Sequence, residues 1–169
     1  MNWAKYIFGF VVILVLQLLA SGFINLWPIL YIALIPLLVI LLPPDTNTYL
    51  LLLCGFAIGL LTDVLADGIP GLNAACCTLL AASRNMITRP MRRYDIQTEE
   101  MDLSYGEFRP EKLFVLLLAS YLVFFIPYVL IDGPMGKGIL WLTLRIILNV
   151  AVNVVIAYLL VRLWIRRFF

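Results

Sequence analysis

Long apolar runs alternate with short polar breaks along the whole 169-residue chain. Six runs reach or approach the about 20 residues that a helix needs to cross a hydrocarbon core about 30 Å thick. They extend from Tyr6 to Gly22, Trp27 to Leu42, Tyr49 to Leu65, Leu72 to Ile87, Leu113 to Ile131 and Ile139 to Trp164. The breaks hold turn formers: Trp27 and Pro28, then Pro43, Pro44 and Asp45, then Asp67 to Gly71, then Asp132, Gly133 and Pro134. A long charged stretch, at about residues 84–112, separates the fourth and fifth runs. This pattern predicts an all-α integral membrane protein, a single domain over residues 1–169 with six transmembrane helices. The second and fourth runs are short, about 24 Å each as helices, so tilting or shielding by neighbours is expected there. Pro36 and Pro127 fall inside runs and predict kinks.

Composition makes lipid the solvent. The chain is 64% hydrophobic and 13% charged, whereas a soluble domain has about a quarter of its residues charged. The sequence contains no histidine, which removes serine–histidine triads, histidine metal sites and histidine proton switches. Cys54, Cys76 and Cys77 lie in apolar runs, two of them adjacent, and read as small packing residues. No metal, cofactor or nucleic acid is implied.

Charge distribution sets an orientation. Ten of the twelve lysines and arginines fall at Lys5, between Arg84 and Lys112, or in the tail from Arg162 to Arg167. Positive residues near helix ends stay cytoplasmic, so both termini and the charged segment are expected inside, with the first run retained as a helix. That segment is basic first and acidic second. Its cluster Arg89 to Arg93 suits anionic lipid or a cytoplasmic partner, although topology alone accounts for it.

Polar residues within the runs are few, and each costs several kcal/mol in hydrocarbon unless paired, about 2.5–3.5 on insertion scales. Gln17, Asp63 and Asn73 lie toward the outer ends of their runs. Arg145, Asn149 and Asn153 repeat every four residues and share one helical face. Asp63 and Arg145, at similar depth, are expected to meet as an ion pair. Two readings stay open: a structural pair that orients helices, or an outward-opening polar pocket, with Gln17, Asp63, Asp67, Asn73, Arg145 and Asn149 as the candidate residues. Gly55 and Gly59 have the spacing that lets a neighbouring helix approach closely, and the fourth run is rich in small residues.

From Gly59 the chain reads Gly-Leu-Leu-Thr-Asp63-Val-Leu-Ala-Asp67-Gly68-Ile-Pro70-Gly71-Leu72-Asn73-Ala74. This is a helix end with an acid inside it, a glycine–proline turn, and a new helix begun by small residues. It resembles the most characteristic stretch of the rod shape-determining MreD family, carried here by Gly59, Leu60, Asp63, Gly68, Gly71, Leu72 and Ala74. Length and layout are similar over the whole chain. Asp67 and Pro70 depart from that family's usual small or apolar residues. The resemblance implies a non-enzymatic, multi-pass component of the bacterial cytoplasmic membrane that supports cell shape and lateral peptidoglycan synthesis. Its implied partner is a bitopic MreC-like protein and, through it, the actin-like MreB filament and the peptidoglycan polymerase–transpeptidase. The implied fold is similar to the substrate-binding subunits of energy-coupling-factor transporters, which makes a vitamin or small-molecule transporter subunit the alternative. The third reading, a CDP-alcohol phosphotransferase, rests on Gly59, Asp63 and Asp67. It fails at Thr46, Tyr49 and Leu50, which replace the glycine, alanine and arginine of that signature.

Overall fold

A computed structural model of the chain describes residues 3–23, 30–42, 46–65, 69–93, 110–133 and 138–162. These form six helices: α1 (Trp3–Phe23), α2 (Ile35–Leu41), α3 (Thr48–Leu65), α4 (Leu72–Arg93), α5 (Pro110–Asp132) and α6 (Ile139–Leu160). Of these, α3, α5 and α6 are long and apolar enough to cross a membrane. Many of their outward side chains are large and apolar, among them Leu53, Phe56, Ile126, Leu144 and Ile147.

The core lies around α2. Every residue from Tyr31 to Ile40 is buried, packed with Leu51 and Ile58 of α3, Leu80 of α4, Phe124 and Phe125 of α5 and Val154 of α6. Neighbouring rings fill the α5 side: Phe124 and Phe125 meet edge to face at 5.3 Å, and Tyr31 stacks on Tyr128 at 4.8 Å. Such aromatic pairs add to what their buried area contributes. Cys76 and Cys77 are buried in this core and Cys54 packs against it, all three as free thiols, as expected of packing residues.

The second apolar run is not the helix that its hydropathy predicts. Residues 30–34 are non-helical, and α2 occupies only Ile35–Leu41. Pro36, expected to kink a longer helix, instead stands in its first turn. A proline has no amide hydrogen to give and disfavours the helical region for the residue before it. It therefore starts helices more readily than it continues them. Non-helical backbone covers more distance per residue, up to about 3.3 Å when extended against 1.5 Å in a helix. A short stretch thus reaches farther than its residue count suggests.

The other boundaries move less. α4 runs on to Arg93, so the charged segment begins inside a helix. Its first residue, Arg84, is buried within the protein. The guanidinium donates to the carbonyl oxygens of Ile40, at 3.1 Å, and Leu42. It therefore serves carbonyls at the end of α2, where a helix leaves its last carbonyls without intrahelical partners. Pro127 lies inside α5.

α3 and α4 form the most closely packed pair. A Cβ on Gly59 would stand 2.5 Å from the Ala74 Cα and from the Asn73 carbonyl oxygen, and one on Gly55 would stand 2.9 Å from the Ala81 Cβ. The two glycines let backbone meet backbone, as their spacing predicts. Gly59→Ala should therefore cost about 1–3 kcal/mol, the usual range for overpacking against atoms that cannot yield. Gly138, whose Cβ would meet nothing within 4 Å, should accept alanine at under about 0.5 kcal/mol. Unfolding midpoints of the two variants in detergent check this, and equal losses would show that the close approach is not real.

Candidate functional site

Backbone amides and carbonyls away from water need partners, and a non-helical stretch cannot supply its own. Residues 31–34 are buried among helices, and apart from the Leu34 carbonyl, which accepts from the Leu37 amide at 3.1 Å, their described backbone partners are side chains. On one edge, the Tyr31 amide donates to Asn149 Oδ1 at 2.7 Å. Asn153 Oδ1 accepts from the Ala33 amide at 2.7 Å, and its Nδ2 donates to the Tyr31 carbonyl at 2.8 Å. The Tyr121 hydroxyl donates to the Ala33 carbonyl at 3.0 Å. On the other edge, Gln17 Oε1 accepts from the Leu34 amide at 2.5 Å and its Nε2 donates to the Ile32 carbonyl at 3.2 Å. Odd residues face α5 and α6 while even residues face α1, the alternation of an extended chain. Gln17 and Asn153 each grip the segment at two points, as a neighbouring strand would.

The asparagines are held from behind. Asn149 Nδ2 donates to the Arg145 carbonyl at 2.7 Å, and Asn153 Nδ2 also donates to the Asn149 carbonyl at 2.8 Å. Each amide thus binds its own helix one turn back while reaching forward to the segment. The polar face of α6 predicted from the four-residue repeat does face protein: Asn149 and Asn153 are 1% and 0% exposed.

Asp63 serves a different end. One carboxylate oxygen accepts from the Gly71 amide at 2.9 Å and the Ala74 amide at 3.0 Å, and the other accepts from the Asn73 amide at 2.9 Å. These are among the amides that begin α4 and lack helical acceptors. The carboxylate also sits at the positive end of the helix dipole, where its charge is stabilised. Gly71 takes φ +94°, which glycine adopts freely, and so turns its amide toward the acid. Asp67 and Gly68 lie outside the described residues. Pro70 is exposed on the turn.

Arg145 does not meet Asp63. Its partner is Asp132, with Nη2 at 2.5 Å from Oδ2, and its guanidinium lies 5.4 Å from the centre of the Trp141 ring. The expected pair is therefore replaced by two separate arrangements. Backbone amides neutralise Asp63, and the last residue of α5 neutralises Arg145. The sequence places Asp132 beside a glycine and a proline, where it reads as turn punctuation. That is why its role as a counter-ion was missed. Tyr31, Tyr121 and Arg84 were missed as well, because an aromatic in an apolar run and an arginine near a helix end have commoner explanations.

Gln17, Asp63, Asn73, Arg145 and Asn149 nevertheless belong to one neighbourhood. Asn73 Nδ2 donates to the Tyr31 hydroxyl at 3.4 Å, and the Tyr31 amide binds Asn149. Tyr31 thereby joins the α3–α4 turn to the polar face of α6. These side chains are directed at backbone and at one another, an arrangement that fixes geometry. No protein-family model, curated protein or solved structure matches the chain.

Asn153→Leu leaves the Tyr31 carbonyl and the Ala33 amide without this partner. Each loss costs about 1–3 kcal/mol, so destabilisation of about 2–6 kcal/mol is expected. Asn85→Leu, at a half-buried residue whose bond to Thr48 is 3.4 Å long, should cost under about 0.5 kcal/mol. Comparable losses in denaturant titrations of the two would remove the clamp. A double-mutant cycle separates the ion pairs. Arg145→Gln with Asp132→Asn should show a coupling of about 0.5–3 kcal/mol. Arg145→Gln with Asp63→Asn should be additive within about 0.5 kcal/mol, and the reverse ranking would restore the Asp63 partnership.

Proposed function

We propose that this chain is a non-enzymatic, six-span component of the bacterial cell-elongation machinery in the cytoplasmic membrane. Both termini are cytoplasmic, and its surfaces bind an MreC-like bitopic protein. The observation that carries the reading is the use of the motif from Gly59 to Ala74. Gly59 admits the start of α4, Asp63 caps it, and Gly71 turns the chain between them. Of the residues that carry the resemblance to the MreD family, Gly59, Asp63, Gly71 and Ala74 thus build the α3–α4 hairpin. A family signature of this kind marks a shared fold, and the six-helix layout implied by the resemblance is that of the energy-coupling-factor substrate-binding subunits.

The polar interior supports a scaffold over a ligand-binding subunit or an enzyme. Gln17, Asn149 and Asn153 are engaged with residues 31–34, and both oxygens of Asp63 are held by backbone amides. What remains for function is the outward surface, which is apolar along α3, α5 and α6. An apolar surface of this extent suits lipid and the transmembrane helix of a partner. Through that partner the chain would act on the actin-like MreB filament and the peptidoglycan polymerase–transpeptidase.

Affinity purification of the tagged chain from native membranes in mild detergent tests the assignment. An MreC-like bitopic protein should be recovered in near-equal amount, and depletion of the chain should round the cells. Recovery of an ATPase module with bound vitamin, and no bitopic partner, would replace this reading with the transporter subunit.

A further inference from the structure

Arginine on a membrane helix is tolerated where it meets protein or reaches the headgroups. α4 carries four arginines, at positions 84, 89, 92 and 93, and no acid. They divide by helical position. Arg84 is turned inward, onto the carbonyls of Ile40 and Leu42. The outward line of the helix is marked by Leu79 and Met86, 49% and 78% exposed. At about 100° per residue, position 93 stands about 20° and position 89 about 60° around the helix from Met86, whereas Arg84 stands about 160° away. Position 92 lies about 60° beyond position 89. Positions 89 and 93 therefore continue the line of Leu79 and Met86, on the side opposite Arg84.

The arginine-bearing turns also stand past the neighbouring helix. Asn85 Nδ2 donates to Thr48 Oγ1 at 3.4 Å, which places the first turn of α3 beside Asn85. α4 runs on to Arg93, about 12 Å beyond that point. Whatever covers this line must be apolar beside Leu79 and Met86 and anionic beside residues 89–93. A phospholipid of net negative charge joins those two parts in one molecule, in that order. A zwitterionic lipid brings its own cation to the same place. Guanidinium forks match phosphate oxygens in pairs, which the point charge of lysine does not.

We propose that the end of α4, from Met86 to Arg93, binds the headgroup of an anionic phospholipid of the cytoplasmic leaflet, with the acyl chains lying along Leu79 and Met86. This rests on the membrane-spanning reading and the orientation proposed above. Basic residues beside a span attract anionic lipid by about fivefold per charge. The division of the arginines gives α4 two tasks. Arg84 ties the helix to α2, and the arginines beyond it tie the helix to the leaflet.

The test offers the full chain, purified in mild detergent, dioleoylphosphatidylglycerol or dioleoylphosphatidylcholine, which share acyl chains, and reads the bound lipid by native mass spectrometry. The wild type should hold the phosphatidylglycerol about 100-fold more tightly, at about fivefold for each arginine at 89, 92 and 93. Arg89→Gln, Arg92→Gln and Arg93→Gln together should reduce that preference to under about fivefold. Arg162→Gln should lower it by less than about fivefold, because the Arg162 guanidinium, at the end of α6, already donates to the Tyr158 hydroxyl at 2.7 Å. Equal binding of the two lipids by the wild type, as expected if the acids between Asp95 and Glu111 neutralise these arginines, overturns the proposal. So does a triple variant that keeps the full preference, or an Arg162 variant as impaired as the triple one. Displacement of the lipid by an equal concentration of soluble glycerophosphate, or stoichiometric recovery of an acidic protein that the triple variant releases, also overturns it. Each of these outcomes leaves the membrane-spanning reading in place. Recovery of the chain in the soluble fraction without detergent removes that reading and the proposal with it.

Discussion

Four residues outside any helix, buried among helices, impose the strictest requirement on this fold. An unsatisfied buried amide or carbonyl costs about 1–3 kcal/mol, and residues 31–34 present several of them together. The rest of the arrangement answers that requirement. α1 contributes Gln17, α5 contributes Tyr121, and α6 contributes Asn149 and Asn153. α1 and the consecutive pair α5 and α6, far from it in sequence, must converge on one short segment before all of these groups are satisfied. The segment is therefore a common reference that fixes how α1, α5 and α6 sit relative to one another. Primary amides suit the task because each carries a donor and an acceptor on one rigid plane, the same pair a peptide group offers.

The α3–α4 hairpin solves a similar problem by a different device. The start of any helix leaves amides unsatisfied, and here they lie against the end of the preceding helix, where solvent is scarce. A neutral cap from the turn could serve one or two of them. A carboxylate reaching across from α3 serves three and adds charge complementarity with the helix dipole. The arrangement requires that α3 and α4 nearly touch, which the glycines allow. Close packing and capping are thus one feature, and the sequence motif spells out both.

Much of this was legible in the chain, and the limits have physical reasons. Apolar runs locate α1, α3, α5 and α6 because hydropathy reports burial or lipid contact directly. The same measure fails at residues 30–34, since an extended buried segment and a buried helix are equally apolar. Only Pro36 hinted at the break. The i, i+4 spacing of Arg145, Asn149 and Asn153 revealed a face that must meet protein, yet not what it meets, because backbone partners leave no trace in side-chain identity. The proposed pairing of Asp63 with Arg145 failed for that reason: unlike charges at similar depth suggest one another, but amides neutralise a carboxylate equally well. Asp132 and Arg84 each stood at the edge of a run, where charge ordinarily marks the end of burial.

The meeting of α6 with the extended segment has a built-in length. Asn149 and Asn153 stand one helical turn apart, a rise of about 6.0 Å, while alternate residues of an extended chain repeat at about 6.6 Å. The two ladders work as a vernier: one step keeps them in register, and each further step adds about 0.6 Å of slip. A third amide tooth on α6 would already fall short of good hydrogen-bond geometry. A helix can read an extended strand for only about two repeats, and the chain returns to its own internal bonding at Leu34, whose carbonyl accepts from the Leu37 amide, close to where the match runs out.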